Sequence, residues 1–127
     1  MFELEVRRTF SAAHSIKIRG EQEPLHGHDW QVDLVVGASY LDSEGMACDF
    51  HELASLLDAV LLPFASRNLN ETPPFDQRNP TAEAVAQHIA DEMNHRIPAR
   101  VAILSVRVTE APGCAARYVP SQRPPST

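Results

Sequence analysis

The sequence predicts an α+β fold, with strands toward both ends of the chain and two helices between them. Three observations carry that expectation. Apolar and polar residues alternate along 2–14 and again along 26–40, the period of a half-buried strand. Apolar residues recur at three- and four-residue steps along 49–64 and 80–96, the period of an amphipathic helix. Alternation then returns at 102–110, and a short last strand follows at Arg117-Tyr118-Val119.

In the first strand the even positions are Phe2, Leu4, Val6, Arg8, Phe10, Ala12 and His14. They form an apolar face broken by Arg8 and ended by a histidine, because side chains alternate across a strand. The odd positions, Glu3, Glu5, Arg7, Thr9, Ser11 and Ala13, face the other way. The segment Ser15 to Pro24 is polar and holds Gly20 and Pro24, so it reads as a loop, a natural place for catalytic groups. In the second strand His26 and His28 share a face with Trp30, Val32, Leu34 and Val36, while Asp29, Gln31 and Asp33 point away.

Asp49 opens the first helix, and Glu52 three residues on suggests a capping box. Leu53, Leu56, Leu57, Val60, Leu61 and Phe64 define its buried stripe, and Pro63 ends or distorts it. Arg67 to Asn79 is polar and holds prolines, so it is expected to be a loop. Asn79-Pro80 resembles a helix start, with asparagine as cap and proline in the first turn. That helix should run to about Arg96 and bury Val85, Ala86, Ile89 and Met93. His88 and His95 read as surface residues on it. The third strand puts Ala102, Leu104, Val106, Val108 and Glu110 on one face. Residues 1–119 read as one domain, and 120–127, rich in Pro and Ser, as a disordered tail.

A chain of 127 residues suffices for one hydrophobic core. A net charge of −6 with one lysine, Lys17, argues against a nucleic-acid partner, which needs clustered basic residues. No apolar run is long enough to cross a bilayer, and no charged-then-apolar leader is read. Two cysteines, Cys48 and Cys114, are too few for a disulfide framework, which points to the cytoplasm.

His14, His26 and His28 are three of the six histidines, held on the buried faces of two strands expected to pair. Three neutral imidazole nitrogens with an open fourth position make a catalytic zinc arrangement. The competing reading is a set of hydrogen-bonded core histidines. Glu110 ends an otherwise apolar face. Either the strand has run out and the carboxylate is solvated, or it is held for a ligand with adjacent N–H donors, such as a guanidine-like edge.

Several segments resemble the 6-pyruvoyltetrahydropterin synthase family, which includes the 6-carboxytetrahydropterin synthases. They are Phe10-Ser11-Ala12-Ala13-His14, Leu25-His26-Gly27-His28, Gly45-Met46-Ala47-Cys48-Asp49-Phe50, Asn68-Leu69-Asn70, Asn79-Pro80-Thr81-Ala82-Glu83 and Thr109-Glu110. They span residues 2 to about 119 in the family order and spacing. The resemblance implies a tunnelling fold: a four-stranded antiparallel sheet with two helices inserted after the second strand. It implies zinc on His14, His26 and His28, a pterin substrate anchored by Glu110, and a homo-oligomer, typically a hexamer.

Two departures matter. The family's catalytic cysteine slot holds Gln22, and its usual Asp-His pair is replaced by Ala65-Ser66. Glutamine supplies neither a base nor a thiolate. Glu23, three residues before His26, stands where a subgroup of the family places a glutamate; that subgroup resembles enzymes that cleave the side chain of dihydroneopterin triphosphate. Glu21 is equally available, and either glutamate in this acidic loop can simply be solvated. The expected activity is therefore a zinc-dependent lyase of the pterin, folate or deazapurine branch, with Glu23 as base. The alternative is a pterin- or purine-binding module that has lost catalysis.

Overall fold

The computed structural model describes residues 1–121; the rest of the expected tail, 122–127, lies outside the described residues. The strands are β1 (Phe2–His14), β2 (Lys17–Ile18), β3 (Glu21–Gln22), β4 (His26–Ala38), β5 (Arg67–Asn68), β6 (Ala102–Ala111) and β7 (Cys114–Tyr118). The helices are α1 (Phe50–Leu61) and α2 (Ala82–Asn94). The main sheet runs β5-β1-β4-β6-β7. Its four long strands are antiparallel, as expected of the tunnelling fold. The two-residue β5 is an addition, pairing parallel with Ala12 and Ala13 at the end of β1.

Both helices cover one face of this sheet: α1 packs on β1, and α2 on β6 and β7. Trp30, Val32, Leu34, Val106 and Val108 are 0% exposed between the layers. Each such side chain contributes about 1.5–3 kcal/mol relative to an exposed one. Arg8, the exception on that face, reaches out to Asp58 of α1 through a 2.7 Å Nε–Oδ1 bond. The uncovered face pairs its polar groups locally. Arg7 donates to Asp33 at 2.6 Å, Gln31 donates to Asp33 at 3.0 Å, and Ser11 donates to Asp29 at 2.6 Å. Burial pushes the Asp33 carboxyl up, but the bonds from Arg7 and Gln31 and the charges of Arg7 and Arg107 outweigh it, so its pKa falls below the ordinary carboxylate value.

Several local expectations change. The segment 15–24 is not a plain loop: it carries the β2–β3 hairpin, turned at Arg19 and Gly20, both with positive φ. Asp49 caps α1 as expected, accepting from the His51 amide at 2.8 Å. The α2 cap is Thr81, not Asn79, and the helix starts two residues later than the Asn-Pro pair suggests. His88 is not a surface residue; it lies half-buried between Phe64 and Phe75, 5.5 Å from each ring. The β6 alternation also breaks. Val35 pairs with Ser105 and Val36 with Ile103, which leaves Leu104 as an extra residue in a bulge. Ile103, not Leu104, is therefore buried upstream of it, and Ala102 is exposed.

Candidate metal centre

His14 and His26 are direct cross-strand partners, and His28 faces Ala12, one alternation further along β4. The register thus brings the three imidazoles together where the covered face ends. Their centroids lie 4.7 Å (14–26), 5.1 Å (14–28) and 4.7 Å (26–28) apart, each pair edge-to-face. Trp30 floors the cluster, 4.7 Å from His14 and 5.8 Å from His28, and its Nε1 donates to Ala12 O at 3.1 Å.

Glu110 joins them, on the face it shares with Val106 and Val108. Thr109 pairs with Ala115 and Ala111 with Cys114, so Glu110 is the extra residue of a second bulge in β6. Bulges re-aim side chains. Glu110 Oε1 lies 3.0 Å from Nε2 of both His14 and His28. One donor atom from each of His14, His26, His28 and Glu110 falls within 4.8 Å of the others.

The protonation of this cluster tests its fit to a cation. His14 has oxygens at both ring nitrogens: Pro80 O is 2.9 Å from Nδ1 and Glu110 Oε1 is 3.0 Å from Nε2. A neutral imidazole carries one N–H, so one of these contacts lacks a proton. Pro24 O, 2.9 Å away, fixes Nδ1 of His26 as its donor in the neutral ring and leaves Nε2 as a lone pair. Nε2 of His28 is buried and has no aligned hydrogen bond, despite the nearby carboxylate. Burial lowers the His28 pKa, and the neighbouring imidazoles lower it further, against the raising effect of Glu110. Three inward-facing imidazoles beside a carboxylate suit a divalent cation of the zinc class.

Glu23 is turned inward, and Glu21 is exposed on the hairpin. Glu23 Oε1 accepts from the Ile16 amide at 3.1 Å and lies 3.6 Å from His26 Nε2. Gln22 is structural here: its amide donates to Ser15 Oγ at 2.7 Å, and that hydroxyl donates to Glu23 O. Two open clefts flank the cluster. One of about 480 Å³ is lined by Arg19, Gln22 and Glu23, and one of about 560 Å³ reaches His28 beside Asp29, Ser66 and Arg67.

A helix-covered sheet ending in three imidazoles and a carboxylate defines an α+β protein with a site able to hold a metal ion. The chain belongs to the 6-pyruvoyl tetrahydropterin synthase family, whose model matches residues 3–121. It is 33% identical over 104 residues to a dihydroneopterin monophosphate aldolase of Pyrococcus furiosus, covering 82% of this chain and 85% of that protein. Its fold is similar to that of 6-pyruvoyl tetrahydropterin synthase from Caenorhabditis elegans, with TM-score 0.82 and 21% identity over 94% of this chain and 96% of that one. It is also similar to the Plasmodium vivax 6-pyruvoyltetrahydropterin synthase, in a catalytic-residue mutant that replaces a glutamate with alanine (TM-score 0.75, 19% identity, 92% of this chain and 96% of that one). Among the described residues no helix is long and apolar enough to cross a membrane.

Proposed function

We propose that this chain is a zinc-dependent lyase that cleaves the side chain of a phosphorylated dihydroneopterin. The observation that carries the reading is the inward-turned Glu23 carboxylate, 3.6 Å from His26 Nε2, beside a Gln22 with no proton chemistry. The aldolase named for its Pyrococcus furiosus relative and the catalytic glutamate of the Plasmodium vivax protein support it.

His14, His26 and His28 would hold the metal, and Glu110 would receive the pterin's amino and ring N–H groups as a bidentate pair. When bound, zinc supplies Lewis-acid polarisation of a substrate oxygen. Glu23 takes the proton of the hydroxyl on the far carbon of the bond that breaks. That carbon becomes an aldehyde as the carbon–carbon bond opens. The electron pair passes to the ring-side carbon, which is then protonated to a hydroxymethyl group. Trp30 and the apolar layer beneath exclude water from the buried side of the cluster. A cytoplasmic homo-oligomer, by family resemblance a hexamer, belongs to the same reading, and light scattering checks the assembly.

The test is turnover of dihydroneopterin monophosphate and triphosphate by protein purified without chelator. Elemental analysis should find about one zinc per subunit. Glu23→Gln should cut turnover by about a hundredfold or more with zinc retained, while Glu21→Gln should have little effect. Full zinc content with no product from either substrate would instead favour a pterin-binding module.

A further inference from the structure

We propose that Asn70 and Asn79 are positioning residues for Glu23, acting through the backbone of Ser15, Ile16 and Lys17. The inference rests on Glu23 being the base.

Beyond His14 the chain continues through Ser15 and Ile16 into Lys17, the first residue of β2. All six backbone hydrogen-bonding groups of these three residues are taken, and the partners alternate. On one side Asn70 accepts from the Ser15 amide at 2.8 Å through Oδ1 and donates to Ser15 O at 2.8 Å through Nδ2. Asn79 repeats the pattern two residues on, accepting from the Lys17 amide at 2.9 Å and donating to Lys17 O at 3.0 Å. Each carboxamide thus does what a facing strand residue does in a β-ladder.

On the other side stands Glu23. Its amide donates to Ile16 O at 3.0 Å. Its carbonyl accepts from Ser15 Oγ, so the Ile16 amide is left for its own carboxylate, at 3.1 Å. The carboxylate therefore occupies a ladder position, and the segment that fixes it is clamped from behind by two asparagines. The same short stretch serves the metal side: Pro80 O, next to Asn79, holds His14 Nδ1 at 2.9 Å. Asn79 and Pro80 thereby set base and imidazole from one piece of backbone. A long glutamate side chain loses much rotamer freedom when held, and a misplacement of about 1 Å can cost on the order of a hundredfold in rate.

Neither asparagine side chain hydrogen-bonds a histidine, and the clamp predicts an effect on rate that passes through Glu23; an effect carried by Pro80 to His14 would persist without the Glu23 carboxylate. The experiment is a double-mutant cycle on the zinc-loaded full chain. Asn79→Ala is the first variant, because that side chain is exposed and refolding is least at risk. It should lower kcat about tenfold, with KM within about twofold and zinc content unchanged. In the Glu23→Gln background the same substitution should cost less than about twofold. Independently of activity, exchange of the Ile16 amide hydrogen should speed up about tenfold in Asn79→Ala. Asn70→Ala, if it folds, should show the same pattern. Equal losses in both backgrounds, or a raised KM with kcat intact, overturn the clamp and leave Glu23 as base. Native turnover in Glu23→Gln itself overturns the base assignment, and this proposal with it.

Discussion

The two faces of the main sheet handle polar groups in opposite ways. On the uncovered face polar side chains are spread along the strands and satisfied by the residue directly opposite, as in Arg7–Asp33 and Ser11–Asp29, and the buried one among them, Asp33, takes a second bond from Gln31. On the helix-covered face there are almost none until the end, where three imidazoles and a carboxylate are packed together against Trp30. A polar group in water contact needs only a modest partner. One behind two helices needs full satisfaction, or the opportunity to bind something. The difference teaches that the cluster is a purposeful exception on a face otherwise built for burial.

Substitutions should separate the two faces. The largest effect is expected in the covered layer: Leu34→Ala should cost about 2–5 kcal/mol of stability by leaving a cavity. Urea denaturation measures it, and a cost under about 1 kcal/mol would mean the layer is loosely packed. Next comes the end of that face. Glu110→Gln replaces an acceptor oxygen with a donor amide and should weaken pterin binding by about 2–4 kcal/mol, read by calorimetric titration of neopterin. Zinc content sharpens the point. A loss of zinc in the same variant would make Glu110 chiefly a metal neighbour through its 3.0 Å contacts, and unchanged zinc would leave it to the ligand.

The smallest effect belongs to the open face. Asp33 has a depressed folded-state pKa, so its contribution to stability is present above the unfolded carboxyl value of about 3.9 and is lost as pH falls through the folded value. Arg7→Ala removes one bond and one charge that depress it. Stability above the carboxyl range, neutral pH included, should fall slightly, the loss should fade as Asp33 is protonated, and the acid-unfolding midpoint, followed by circular dichroism, should move to higher pH. An unmoved midpoint would show that Gln31 and Arg107 suffice.

Much of this architecture is legible in the chain. The two long strands, their faces and the meeting of His14, His26 and His28 follow from a period of two, which the register of β1 on β4 preserves without a break. The helix stripes follow in the same way; of the expected apolar residues of α1, Leu56 alone is only partly buried. What escaped has a common cause. A bulge at Leu104 shifts the strand by one residue without any local signal, so the face expected upstream of it, Ala102 and Leu104, is not the buried one. Asn79 looks like a cap because an asparagine before a proline usually is one. Its amide is instead committed to Lys17, 62 residues away in sequence, and no local pattern reports that. His88 escapes for the same reason, since the two phenylalanine rings reach it only after the chain has folded.

Trp30 is the one tryptophan in the chain, fully buried, with its ring edge-to-face with two of the three imidazoles. Its emission is therefore a built-in optical gauge of the cluster. A blue-shifted band is expected from its surroundings, and protonated imidazoles beside it should dim that band. A paramagnetic ion such as Co²⁺ taking up the site should quench it almost completely, whereas Zn²⁺, with its filled d shell, should not. Titrating the two ions against one another would then rank their affinities from the light of a single residue, with no label attached.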